Sequence, residues 1–282
     1  DGDGGGGGLP GLPLLSASNA GDMKLWDASQ AFGDRRSRHA HHGGAKELAV
    51  CQPHRHGVWC LHELGGSIAT ASKDGTVAIS ELTSAGLRAA VRSFDDPQGH
   101  VVKSARWRDA HTVLAAGNGG HLNVFDARAA GRAAALSIEA SSFALNTVLC
   151  SPRDSHVALV NGFEPVARLY DVRQPGTALH ELKGHSLPLG GRVKKVHQPI
   201  FCAGGALVAL VGDRGTGQLS LAHYSVATGA AAGFDALGTD YFYTPQDVGT
   251  TLGVVPPGGR RADERVVISR GRELHVFEPR WG

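Results

Sequence analysis

Met23-Lys24-Leu25-Trp26-Asp27 is the stretch that decides how this chain reads, because its pattern returns five more times. Two apolar residues one position apart are followed by an aromatic or small residue and then, in most copies, an acid. The later copies are Val77–Glu81, Leu122–Asp126, Ala167–Asp171, Leu219–His223 and Leu274–Glu278. Their last residues, Asp27, Glu81, Asp126, Asp171, His223 and Glu278, are spaced by 54, 45, 45, 52 and 55 residues. A return at that interval marks an array of one supersecondary unit, each copy burying its apolar face against the next.

Each copy alternates apolar and polar residues, which puts one face of an extended strand in a core. A turn precedes each: Ala20-Gly21-Asp22, Lys73-Asp74-Gly75, Asn118-Gly119-Gly120, Phe163-Glu164-Pro165, Gly215-Thr216-Gly217 and Arg270-Gly271-Arg272. Gly and Asp there supply the positive φ that tight hairpins need. Apolar runs at 12–18, 67–72, 112–117, 156–162, 206–212 and 265–269 come before the turns. Earlier strands are expected at 58–64, 101–107, 145–151 and 192–198, and following ones at 46–50, 87–94, 132–138 and 177–183. Four antiparallel strands per repeat make one blade of an all-β propeller.

On these residues the chain resembles a WD40-repeat β-propeller over nearly all of 12–282. Trp26-Asp27 is similar to the dipeptide that names the family, Phe125-Asp126 and Tyr170-Asp171 are aromatic variants, and Phe277-Glu278 is a weaker one. Gly99-His100 and Gly184-His185 resemble its Gly-His signature, and Ser72–Thr76 its hairpin. Ser80-Glu81 and Ala222-His223 depart from the pattern by lacking the aromatic. The resemblance implies one propeller domain over 12–282 after a flexible Gly-rich segment at 1–11, with a basic loop insert at 28–45. It also implies that the acids of the repeats and Asp74 stabilise turns. The first apolar run reads as the second strand of a blade, and the last blade ends at its third. The expectation is therefore an N-terminally truncated propeller with six blades represented, an incompletely closed ring, and a parent of seven.

Bulk properties narrow the function. A formal charge of +2 is no global field for nucleic acid. Cys51, Cys60, Cys150 and Cys202 lack metal-ligand spacing and read as reduced, packed thiols, in keeping with a cytoplasmic or nuclear location. Apolar runs are too short for a membrane helix. No Gly-x-Ser-x-Gly elbow or His-Glu-x-x-His helix is present, and Gly212–Gly217 lacks the lysine of a phosphate loop. The histidines near the insert, His39, His41, His42, His54 and His56, have nothing to hold tetrahedral geometry. Neither metal, cofactor nor small-molecule substrate is expected. Arg35–His42 is the one basic cluster; it could touch RNA or an acidic partner, or stay a solvated loop, and it has no aromatics for base stacking.

Two surfaces remain for protein partners. Phe125-Asp126-Ala127-Arg128 and Tyr170-Asp171-Val172-Arg173 share the form aromatic-Asp-x-Arg, and Phe277-Glu278-Pro279-Arg280 has Glu for Asp. Paired boxes of this form resemble those of WD40 substrate receptors of cullin-4 ubiquitin ligases. The resemblance implies that Arg128, Arg173 and Arg280 project from a rim toward the ligase adaptor. The alternative is that each arginine pairs within its own sheet. The second surface is implied by the family's innermost strands, whose second residues often face the top opening. Here these are Trp59, Lys103, Asn146 and Lys194, a set suited to an acidic peptide segment or, equally, to packing and solubility. The reading is a non-catalytic protein-interaction module, with a ligase substrate receptor favoured. A scaffold subunit of another assembly and an RNA-associated propeller are the alternatives.

Overall fold

The computed structural model describes residues 12–29, 44–183, 199–213, 219–236, 251–255, 265–270 and 273–277. These form six antiparallel sheets in chain order. The first holds β1 (Pro13–Ala17), β2 (Met23–Asp27) and β3 (Lys46–Cys51). The second holds β4 (Val58–Leu64), β5 (Ser67–Ser72), β6 (Thr76–Thr83) and β7 (Gly86–Asp95). The third holds β8 (Val102–Asp109), β9 (Thr112–Gly117), β10 (His121–Asp126) and β11 (Leu136–Glu139). The fourth holds β12 (Leu145–Cys150), β13 (Val157–Gly162), β14 (Ala167–Asp171) and β15 (His180–Leu182). The fifth holds β16 (Ile200–Cys202), β17 (Leu207–Asp213), β18 (Leu219–Ser225) and β19 (Ala231–Ala236). The sixth holds β20 (Thr251–Val255), β21 (Arg265–Arg270) and β22 (Glu273–Phe277). Each strand pairs with its neighbour in sequence, so every sheet is a meander built by local hairpins.

The described residues fall into two compact units, within Asp1–Ala115 plus Asn123–Leu136 and within Ala116–Leu122 plus Ser137–Gly282. In the first, Val77, Ile79, Phe94, Val102, Ala105, Trp107 and Phe125 form a buried cluster. The Phe94 and Phe125 rings lie 5.1 Å apart, in the range of favourable aromatic pairing. In the second, Leu159, Leu169, Leu182, Val208, Leu210 and Tyr224 pack together, and Tyr224 meets Phe234 edge-on. The core residues are the apolar positions of the alternating repeats. Burial also separates central from edge strands. β5, β9 and β13 are buried along nearly their whole length, whereas β1 is largely exposed. Among the described residues β1 has a ladder partner only in β2.

The two repeats that lack the aromatic have a physical account. β2, β10 and β14 end on their acid, and Asp27, Asp126 and Asp171 each accept the backbone N–H two residues on. β6 and β18 continue two residues past Glu81 and His223. Those positions lie inside a ladder, where no turn needs an acid to hold it.

Several boundaries differ from the sequence reading. The outer strand of the third sheet begins at Leu136 instead of 132. Arg132 is instead drawn to Asp95, its carbonyl accepting the Asp95 N–H at 3.0 Å. The outer strand of the fourth sheet is only His180–Leu182. In the fifth sheet the strand beside β17 is Ile200–Cys202; the strand expected at 192–198 lies outside the described residues, as do Gly184-His185 and Gly215–Gly217. β19 and β20, which the repeat pattern did not mark, are present. The segment 1–11, residues 30–43 of the insert and Glu278 are likewise outside.

Candidate functional site

The two complete aromatic-Asp-x-Arg boxes fold in the same way. Just past the end of β10, the Arg128 backbone N–H donates to Asp126 Oδ1 at 2.9 Å. Its guanidinium then turns back, Nε to Oδ1 at 3.0 Å and Nη2 to Oδ2 at 2.8 Å. Just past β14, Arg173 does the same with Asp171, its Nη2 2.7 Å from Oδ2, and lies 3.6 Å from Asp154. The paired guanidinium holds each carboxyl well below the usual carboxylate range, at about 2 for both Asp126 and Asp171. The arginines remain solvated: their side chains are 68% and 56% exposed. Each fork is thus committed to its own aspartate while its outer face stays open. Arg280 lies outside the described residues.

On the inner strands, Trp59 and Asn146 share a feature that sequence spacing could not show. The pairing of β4 with β5 slips between Val58 and Cys60, and that of β12 with β13 slips between Leu145 and Thr147. Trp59 and Asn146 are the extra residues of two β-bulges. A bulge re-aims one side chain out of the regular alternation. Trp59 is left 59% exposed, the largest exposed aromatic among the described residues. Lys103, second residue of β8, is half-buried, and burial lowers its pKa. Lys194 is outside the described residues.

The most tightly built polar cluster was missed in the sequence. His54, from Pro53-His54-Arg55-His56-Gly57, is buried with no side-chain exposure. Its Nδ1 lies 2.9 Å from Thr76 Oγ1 and 3.3 Å from Asp74 Oδ2, and its Nε2 lies 2.8 Å from Thr70 Oγ1. The carboxylate beside Nδ1 favours a proton there, and the Thr70 hydroxyl beside Nε2 also donates to the Ala78 carbonyl at 3.2 Å. Desolvation outweighs Asp74 and pushes the His54 pKa down. Asp74 itself accepts from the Arg55 and Thr76 backbone N–H groups and from the Thr76 hydroxyl. A loop histidine thereby ties the entry to β4 to the β5–β6 hairpin. The cue was the Pro-His-x-His-Gly string ahead of a first strand. His100, of the Gly-His pair ahead of the next sheet, has a half-exposed ring 3.9 Å from Asp96 Oδ1. There Asn123 Nδ2 takes up the buried Asp96 carboxylate at 3.0 Å.

In-phase four-stranded meanders, Asp-capped strand ends and a buried His–Asp–Thr lock now stand together. The fold class is all-β, a succession of antiparallel meanders consistent with a WD40-type β-propeller. No protein-family model matches the chain. Over 154 residues, 54% of its length, the chain is 25% identical to Histone acetyltransferase type B subunit 2 of Kluyveromyces lactis. The match spans 37% of that relative, so the chain corresponds to little more than a third of it. Among the described residues no group of His, Cys, Asp and Glu is placed to hold a metal, and no helix is long and apolar enough to cross a membrane. The four cysteines are free thiols.

Proposed function

We propose that this chain is a non-catalytic protein-interaction module acting as a scaffold subunit of a multiprotein assembly. Trp59 carries the reading. A large aromatic held outward by a bulge costs solvation and adds nothing to the core, yet it is the residue type that most often anchors a partner. The similarity to a protein named as one subunit of a histone acetyltransferase supports a place in such an assembly. Replacing Trp59 with Ala should leave the unfolding free energy from urea titration within about 0.5 kcal/mol of the parent, as surface changes do. It should strip the co-purifying subunits seen by native mass spectrometry. Retention of every subunit by the Trp59→Ala chain would sink this reading.

A second reading, substrate receptor of a cullin-4 ubiquitin ligase, is supported by the open outer faces of Arg128 and Arg173. The inward pairing of both forks supports the scaffold reading over it. The double substitution Arg128→Ala/Arg173→Ala separates them. On the ligase reading it weakens binding to the purified adaptor by roughly tenfold or more, the scale of an interface arginine. Unchanged adaptor binding, or none by the parent chain, removes the ligase and leaves the arginines as turn-holding residues.

A further inference from the structure

Within the first unit, a polar cleft of about 530 Å³ is lined by Arg55, Asp74, Ser93, Asp95 and Arg132 beside His54. We propose that it binds an acidic side chain from an extended segment of a partner protein, recognising the oxyanion. The inference rests on the interaction-module reading and gives it a partner chemistry.

The two carboxylates that line the cleft are already engaged. Asp74 Oδ1 accepts from the Thr76 backbone N–H and hydroxyl at 3.0 and 2.6 Å. Its Oδ2 accepts from the Arg55 N–H at 2.9 Å and lies beside the His54 ring. Asp95 receives the Arg132 fork, Nε at 2.7 Å and Nη2 at 2.5 Å. What remains is donor capacity. The Arg55 guanidinium has no hydrogen bond or ion pair among the described residues, nor has the Ser93 hydroxyl. Arg132 has N–H groups left over after two bonds to Asp95, since a guanidinium carries five. A free guanidinium, a second one with spare donors and a free hydroxyl around one concavity suit a planar or tetrahedral oxyanion, because the guanidinium fork matches its geometry. A cation would find the Asp74 oxygens filled and the Asp95 charge already met by the Arg132 fork. The volume falls in the range of small-ligand pockets, enough for one side chain and its flanking backbone.

The cleft joins segments far apart in sequence. Arg55 enters from the connection before β4, Ser93 and Asp95 from the end of β7, and Arg132 from the segment after β10. The Arg132–Asp95 pair spans 37 residues and holds the wall in place.

Fluorescence anisotropy with short labelled peptides tests the proposal: a Glu-Ser repeat, its phosphoserine counterpart with the glutamates replaced, and a Lys-Ser repeat. The Glu-Ser peptide is expected to bind saturably, and to weaken with added salt. Arg55→Ala should weaken it roughly tenfold, and Arg55→Lys by less, because charge survives while the fork is lost. Binding of the phosphoserine peptide alone, still dependent on Arg55, would support the oxyanion site and make phosphate its group. Equal binding by the Arg55→Ala chain, tighter binding of the Lys-Ser peptide, or no saturable binding overturns it. Those failures leave the Trp59-dependent retention of subunits untouched, so the two proposals fail separately.

Discussion

Gly120→Ala should cost about 4 kcal/mol, the largest loss expected from a single methyl group here. Gly120 closes the turn before β10 at φ +74°, where a Cβ is strained on its own account by about 1 kcal/mol. A Cβ there would also overlap the Ser141 carbonyl oxygen and sit 3.0 Å from that of Phe143. Those are backbone atoms, so no rotamer change relieves the clash. The Gly120 carbonyl in turn accepts the Ala140 and Ser141 N–H groups at 3.1 and 3.0 Å. Any shift that makes room breaks bonds with a net worth of about 1 kcal/mol each. Gly99 supplies the control: it has φ +71° but nothing within 4 Å of a built Cβ. Gly99→Ala should therefore cost only about 1 kcal/mol. Urea unfolding of both variants reads the difference, and equal midpoints would refute crowding as the reason for glycine at 120.

His54→Ala should cost about 3 kcal/mol, through a cavity and the loss of bonds to Thr70 and Thr76 in a buried site. The same site makes stability depend on pH. Burial sets the folded pKa of His54 below its ordinary value near 6.5, so the unfolded chain binds the proton more readily. This contribution is complete above about pH 6.5 and declines as pH falls from there toward the folded pKa. Asp74 acts lower: burial raises its pKa, but the bonds from Thr76 and Arg55 together with His54 outweigh this and lower it, so its contribution is lost only in stronger acid. Unfolding curves between neutral and mildly acidic pH should show the parent losing stability where His54→Ala does not. Parallel pH profiles for the two proteins would show that His54 is not the titrating group.

Much of this was legible because it is local. Alternating residues in Leu122–Asp126 and a Gly-bearing turn just before it specify a hairpin without help from the rest of the chain. The phase of the repeats then gave six sheets, and the strand ends at Asp27, Asp126 and Asp171 followed from an acid reaching a backbone N–H two residues on. The weaker predictions came where that local rule had no purchase. Glu81 and His223 occupy the repeat position without ending their strands, and Arg132 leaves the expected strand for Asp95.

By itself the sequence determined the fold class, most of the strands and most of their turns, since period-two burial and positive-φ residues act over a few neighbours. Tertiary structure alone decided which polar groups are buried and which are offered to a partner. His54 and His100 look alike in the chain, but only His54 meets Thr70, 16 residues away, in a buried place. Trp59 is exposed because a pairing slip turns it out of the ladder. Arg128 and Arg173 point at their own acids, whereas the Arg55 guanidinium is left free at a cleft whose far wall is Arg132. Burial, bulges and charge pairing depend on distances between segments far apart in sequence, and those distances exist only once the sheets have packed.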